Sequence, residues 1–393
     1  MQFSQLVQRV AGDGADAWRF HNAALAARAR GEDALILSVG DPDVATPAPV
    51  VERAMAALQA GDTHYTEVRG RHALREAIAR QHARRCGQAV DPEQVAVVCG
   101  AQNALMVALL CLAQAGDEVL SPDPMYPTYP ATIEASGARL VRVPLQAADG
   151  FRFDPSALRA ALTPRSRVLV LTTPANPSGM ILSASELAAI GECAREHGLW
   201  LVVDEVYAGL APGGAVPSLA RELPQQVVTV GSLSKTHAMC GWRVGWLVGP
   251  RELIDHVENL LLCMLYGLPG FIQEAAITAL GLADEAEQRA RDYCARRAQR
   301  MLEQLQGIPE LRPLPPQAGM FMLLDVRGTG LSGREFAAGL YERERISVID
   351  GDAFDRQTRD FVRLGFATEE ALLDEAGRRL RRYCDELRAS RSR

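Results

Sequence analysis

Lys235 is the only lysine in a chain of 393 residues; the other 41 of its 42 basic side chains are arginine. Arginine serves nearly every structural purpose of a surface lysine, but it keeps its proton inside a protein and cannot act as a primary-amine nucleophile. An arginine-biased composition would by itself leave one lysine at an arbitrary place, and the neighbours of Lys235 decide against that. Ser232-Leu233-Ser234 precedes it and Arg243 follows, so a hydroxyl and a permanent positive charge bracket the amine. Upstream come Gly100-Ala101-Gln102-Asn103, the turn Thr173-Pro174-Ala175-Asn176-Pro177-Ser178-Gly179, and Asp204-Glu205-Val206-Tyr207.

One cofactor uses such groups together. Pyridoxal 5'-phosphate requires a lysine amine for its Schiff base, a carboxylate against its ring nitrogen, donors for its ring oxygen and a cradle for its phosphate. Lys235 supplies the amine. Asp204 supplies the carboxylate that keeps the ring nitrogen protonated, so that the ring accepts electrons. A helix opening at Ala101 and Gln102 offers free N–H groups and a positive dipole end to the phosphate, and Ser232 and Arg243 add to it. Singly, each has a plainer reading. Asp204 equally well ends a strand, Asn176 is common in proline-rich turns, and Tyr207 suits a core. Ser232-Leu233-Ser234-Lys235 also fits the S-x-x-K of penicillin-recognising serine enzymes, but the chain has no K-T-G or S-D-N to go with it. The joint pattern is the specific one.

The elements that must position these groups follow a βαβ rhythm. Apolar runs at Val95–Cys99, Glu118–Ser121, Arg139–Val143, Arg167–Thr172, Leu199–Asp204, Val227–Val230 and Val244–Val248 read as seven strands, several covered on both faces. Helical patterns at Ala101–Gln102-onward to Gln114 and at Ala184–His197, stopped by Gly198, lie between them. This predicts an α/β protein with a mostly parallel seven-stranded sheet and helices on both faces. Too little chain separates the last two strands for a crossover helix, so one of them is expected to run antiparallel. In such a sheet ligands bind beyond the carboxyl ends of the strands, where the candidate residues fall. Long helices are expected at Leu253–Leu265 and Asp284–Gln306. The pattern then turns to α+β, with strands at Met320–Val326, Ile346–Ile349 and Phe361–Phe366 and a helix from Ser332, which marks a smaller second domain.

A net charge of −6 argues against a nucleic-acid partner held through phosphates. The arginine-rich stretch from Arg378 reads as a solvated last helix. Eight cysteines form no C-x-x-C pair and no zinc spacing, and most read as small buried hydrophobes. No signal-peptide pattern and no membrane-length apolar run is present, so a reduced, cytoplasmic protein without a membrane or metal partner is expected.

At these residues the chain resembles the fold-type I, class I pyridoxal-phosphate-dependent aminotransferases, essentially end to end. Ser232-Leu233-Ser234-Lys235-Thr236 with Gly241-Trp242-Arg243 resembles the family's lysine signature and its phosphate arginine. Asn176-Pro177-Ser178-Gly179 and Asp204-Glu205-Val206-Tyr207 match its N-P-x-G and D-E-x-Y. The resemblance places Asn176 and Tyr207 on the ring oxygen, Asp204 on the ring nitrogen and Tyr126 against the ring face. His64-Tyr65-Thr66 matches the segment whose tyrosine reaches the phosphate of the neighbouring subunit, which implies a homodimer with shared active sites. Val39-Gly40-Asp41-Pro42-Asp43 resembles the substrate-side loop, and Arg363 falls where the family holds the α-carboxylate, a task suited to a guanidinium fork. Asn176 and Gly40 complete the implied substrate contacts. The expected division is 1–45 packing with the small domain, 46–290 the large cofactor-binding domain, and 291–393 the small domain.

Closer features, among them Thr63-His64-Tyr65, Val68-Arg69-Gly70 and Glu258-Asn259-Leu260, resemble the arginine–pyruvate transaminases. Aspartate-specific relatives carry a lysine where this chain has Gln102, and no other lysine is available for a dicarboxylate, so a neutral or cationic side chain is the easier substrate. Glu67 is a carboxylate placed to face a guanidinium, or else a solvated loop residue. The implied reaction moves the α-amino group of L-arginine or another non-acidic L-amino acid to pyruvate in a ping-pong cycle, giving a 2-oxo acid and alanine, with Lys235, Asp204 and Tyr207 as the catalytic set. Competing readings are an aspartate, aromatic or kynurenine-type aminotransferase using 2-oxoglutarate, a C–S β-lyase on the same fold, and a cofactor-binding regulator of DNA. The regulator needs a helix-turn-helix region, for which the residues before Val39 leave no room.

Overall fold

Strand alternation places the candidate groups on one side of one sheet. In the computed structural model, which describes residues 2–11, 13–354 and 356–391, seven strands form a sheet in the order Val95–Val98, Gly245–Val248, Val227–Ser232, Trp200–Asp204, Ser166–Thr172, Glu118–Asp123, Arg139–Pro144. All neighbours are parallel except Gly245–Val248, which runs antiparallel to both of its own. This is the reversed strand that the short connection required.

Both faces of the sheet are covered. Val168, Val170, Val202, Val228 and Val230 pack with the helices Ala101–Leu112 and Arg251–Met264, whereas Leu169, Leu171, Leu201 and Val203 pack with Ala184–His197 on the other side. Side chains alternate across a strand with period two. Thr172, Asp204 and Ser232 each end their strands and share the parity of the first set. All three therefore face the side where Ala101–Leu112 begins. Helix stops are set locally: Ser183 and Glu186 form a capping box at the start of Ala184–His197, and Gly198 ends it in the left-handed conformation.

A second, four-stranded antiparallel sheet runs Ile349–Asp350, Phe361–Gly365, Phe321–Asp325, Arg312–Leu314. Its core joins Val362 and Leu364 to the helices Ala283–Leu305, Gly333–Glu344 and Glu370–Arg391. Arg363 lies between those two core residues and so points from the opposite face. The run at Ile346–Ile349 is not one strand. Ile346–Ser347 pairs in parallel with Leu35–Ile36, and only Ile349–Asp350 joins the four-stranded sheet; the chain changes sheets at Val348. The cysteine expectation is also corrected: Cys193, Cys294 and Cys384 are buried, Cys263 is exposed and the other four are intermediate, all without disulfides.

Candidate active site

A cavity of about 200 Å³ at the carboxyl edge of the large sheet is lined by Ala101, Gln102, Tyr126, Asn176, Asp204, Tyr207, Ser232, Lys235 and Arg243, nine of the residues singled out from the sequence. Its remaining walls are Leu105, Tyr129, Thr172, Val206, Ser234 and Cys240. Gly40, Arg363 and Tyr65 do not line it, and each is placed differently.

Lys235 follows the strand that Ser232 ends. Its Nζ donates to the Gly40 carbonyl at 2.7 Å and lies 3.8 Å from the Cys240 Sγ. The amine is thus held on the backbone of the substrate-side loop. Gly40 is required there, because a Cβ would overlap the Phe321 ring.

Asp204 is buried. Its Oδ1 accepts the Val206 N–H at 3.1 Å and its Oδ2 accepts the Tyr129 hydroxyl at 2.8 Å. Burial pushes its carboxyl up to about 6, against the Tyr129 bond, the Val206 N–H and the charge of Lys235, which favour the ionised form. Burial also raises the Tyr207 phenol, which stays protonated and can donate. The Asn176 Oδ1 accepts from Arg363 at 3.0 Å, which leaves its amide hydrogens for another acceptor.

The Ala101–Leu112 helix opens at Gly100, which has φ +84. Its first N–H groups have no acceptor within the helix. Arg243, at φ +56, lays its guanidinium over the same place, with Nη1 donating to the Cys240 carbonyl at 2.7 Å. A Cβ on Gly100 would overlap that guanidinium, and a Cβ on Gly245 would come within 2.5 Å of the Gly100 carbonyl carbon. Two glycines therefore let an arginine and a helix start converge on one point. A dianionic phosphate suits this cradle, and the neighbouring carboxylate, phenol, amide and amine suit the ring of pyridoxal phosphate. The donor set fits that cofactor. Gly100→Ala is expected to cost about 1–3 kcal/mol in backbone strain and to displace Arg243. Pyridoxal phosphate affinity should then fall at least about tenfold, read by absorbance titration of the apo-protein; unchanged affinity would remove the cradle from the account.

Arg363 is almost fully buried and bonded to Asn176 of the cavity wall. Its Nη2 donates to the Ser38 carbonyl at 2.6 Å, its Nη1 to Asn176, and its Nε has no partner. The guanidinium carbon sits 3.8 Å from the centroid of the Phe321 ring. Burial lowers its pKa to about 10, so it keeps its charge. A buried cation with unused donors beside Asn176 suits a carboxylate.

Tyr65 is 85 % exposed and its ring stands 4.9 Å from that of Tyr266, also on the surface. Glu67 does face a guanidinium, but it is that of Arg75, at 3.2 Å. Tyr129 and Thr172 were missed from the sequence. The one available signal for Tyr129 was its place three residues after Tyr126, one helical turn on. For Thr172 it was a hydroxyl ending an apolar strand.

A family model described as aminotransferase class I and II matches residues 32–380. An arginine–pyruvate transaminase of Pseudomonas aeruginosa is 48% identical over 382 residues, covering 97% of this chain and 97% of that protein. An aspartate aminotransferase of Geobacillus stearothermophilus is 33% identical, over 91% of this chain and 93% of its own. The solved structure of an aspartate aminotransferase from Thermus thermophilus with maleate superposes with a TM-score of 0.92 at 31% identity, covering 98% of this chain and all of that one.

Proposed function

The chain belongs to the class I and II aminotransferases, and from that premise we propose that it moves the α-amino group of L-arginine, or another non-acidic L-amino acid, to pyruvate. It is a pyridoxal-phosphate-dependent transaminase of fold-type I. When bound, pyridoxal phosphate supplies the carbonyl that takes the substrate amine and the ring that accepts the electron pair freed at Cα. Lys235 would carry it through its amine. Asp204 would hold the ring nitrogen, Tyr207 and Asn176 the ring oxygen, Tyr126 the ring face, and Ala101, Gln102, Ser232 and Arg243 the phosphate.

The chain's own part follows from its groups. Arg363 and Asn176 fix the α-carboxylate of the donor. Lys235 Nζ moves a proton on and off the substrate Cα as general base and acid. The Asp204 carboxylate, buried and negative, stabilises positive charge on the ring in a site of low dielectric.

The observation that carries the reading is the convergence of Lys235, Asp204, Asn176 and Arg243 on one cavity, with Arg363 bonded to Asn176. The relative at 48% identity supports arginine and pyruvate as substrates. Gln102 agrees with a non-acidic donor: its carbonyl accepts from Thr128 at 2.8 Å and its amide donates to Thr132 at 2.7 Å, so the side chain is held by these two threonines and brings no positive charge to a second carboxylate. A panel of L-amino acids against pyruvate and 2-oxoglutarate tests this. Arginine with pyruvate is expected to exceed aspartate and glutamate by at least about tenfold in kcat/KM, some 1.4 kcal/mol of transition-state preference. Aspartate in first place would overturn the substrate assignment while leaving the reaction type.

We further read the protein as a cytoplasmic homodimer. Tyr65 is exposed and does not line the cavity of its own chain, and exposed apolar side chains at Met55, Leu58, Leu262, Met264 and Tyr266 support a second copy bringing its Tyr65 to this site. No helix among the described residues is long and apolar enough to cross a membrane. Residues 46–290 would hold the cofactor, and 1–45 with 291–393 would bring Gly40 and Arg363 to it. The pairing of Leu35–Ile36 with Ile346–Ser347 supports that division.

A further inference from the structure

We infer that Tyr129, oriented by Thr172, is a positioning residue for the reaction: its phenol donates the hydrogen bond that keeps the Asp204 carboxylate ionised and fixed beside the cofactor cavity. The inference rests on the reading of Asp204 as partner of the cofactor's ring nitrogen.

Tyr129 opens the helix Tyr129–Ala135 and is 3% exposed. Its hydroxyl lies 2.8 Å from the Asp204 Oδ2 and 2.7 Å from the Thr172 Oγ1. Thr172 and Asp204 are paired residues of adjacent parallel strands, so one phenol bridges two strand ends. The direction of the chain of hydrogens is fixed by chemistry. An ionised carboxylate only accepts, so the phenol gives its hydrogen to Asp204 and must take one from Thr172. With the Val206 N–H on Oδ1, each carboxylate oxygen has one fixed donor, and the remaining lone pairs are left for the cavity.

The other titratable groups around Asp204 explain why this donor matters. Glu205, the next residue, is buried with its carboxyl pushed up to about 7, and when charged it opposes ionisation of Asp204. Tyr207 is neutral. Lys235 favours the carboxylate, but its amine is the reacting group and changes partner on cofactor binding. Tyr129 and the Val206 N–H are the constant donors. Of the two, only Tyr129 is set by a side chain.

The test is the pH dependence of pyridoxal phosphate affinity for the apo-protein, because it reports protonation of the free site. Wild-type affinity should fall with acid through a limb near 6, the range to which Asp204 is raised. Loss of a hydrogen bond to a charged group is worth about one pH unit or more. Tyr129→Phe should therefore move the limb up by about one unit, weakening binding about twofold at pH 7 and about tenfold at pH 5, below both limbs. Thr172→Val should move it the same way by less, and Thr172→Ser should leave it in place. Asp204→Asn should remove the limb and most of the affinity.

A folded Tyr129→Phe protein, by melting temperature and circular dichroism, with the wild-type limb overturns the inference. So does a variant whose affinity falls equally at every pH, since that is a packing effect. If Tyr129→Phe does not fold, Thr172→Val decides by the same limb, because it leaves the phenol in place. If Asp204→Asn itself binds the cofactor as the wild type does, the reading of Asp204 has failed, and that outcome is distinct from failure of Tyr129 alone.

Discussion

Lys235→Arg is expected to lower transamination by at least about 10⁴-fold, the upper end of what one positioned proton-transfer group contributes. Charge is kept and size nearly so, and a guanidinium at this place can still meet the Gly40 carbonyl that now accepts from Nζ at 2.7 Å. Folding and net charge should therefore be unchanged. What is lost is an amine able to give up its proton. The assay is turnover of arginine with pyruvate, together with borohydride treatment of the cofactor-loaded protein. Wild type should retain a covalent adduct at position 235 and the variant none. Residual turnover within tenfold of wild type would end the assignment, because no second lysine exists to replace the first.

Arg363→Lys is expected to reduce kcat/KM by a few hundred-fold. The guanidinium ties the Ser38 carbonyl and Asn176 together with two of its donors, and the α-carboxylate would take others. A lysine carries the charge but cannot hold both anchors and a substrate in one plane. Two hydrogen bonds to a charged group are worth about 3–4 kcal/mol, which matches that loss. The effect should fall on amino acids and spare amines without a carboxylate. Discrimination between arginine and the corresponding decarboxylated amine would therefore collapse in the variant. Retained discrimination would place the carboxylate elsewhere.

Much of this arrangement was readable in the sequence, and the physical reasons differ by element. Seven runs gave seven strands because the inner strands are buried on both faces, so most runs are nearly apolar throughout and bounded by polar residues such as Asp204 and Ser232; the edge strand Arg139–Pro144, half-exposed and carrying Arg139 and Arg142, is the exception. The reversed strand followed from the short link between Val227–Ser232 and Gly245–Val248. Ala184–His197 was legible to both ends because a capping box and a glycine stop mark them. The break at Val348 was not legible, since two short strands in different sheets share one apolar run. Helices such as Tyr129–Ala135 were not singled out either: seven residues with proline in the first turn carry little periodicity.

The site shows the same division. Groups with a distinctive chemistry, the lone lysine and the carboxylate at a strand end, stood out. Those that act through them did not. Tyr129 and Thr172 read as ordinary core and strand residues until adjacent strands are paired. Glu67, read as either a guanidinium partner or a solvated loop carboxylate, is exposed and pairs with its own neighbour Arg75, one helical turn into the next helix.

The Gly40 carbonyl that holds the Lys235 amine has one more implication. Apart from the chain's own terminus, this is the sole primary amine the protein possesses, and it lies half-buried against the substrate loop. Acylating or reductively alkylating reagents, which scatter over most enzymes, meet here a single side chain inside the reaction chamber. Lysine labelling of this protein, read at position 235 apart from the terminal amine, thus measures vacancy of one site rather than accessibility of a surface.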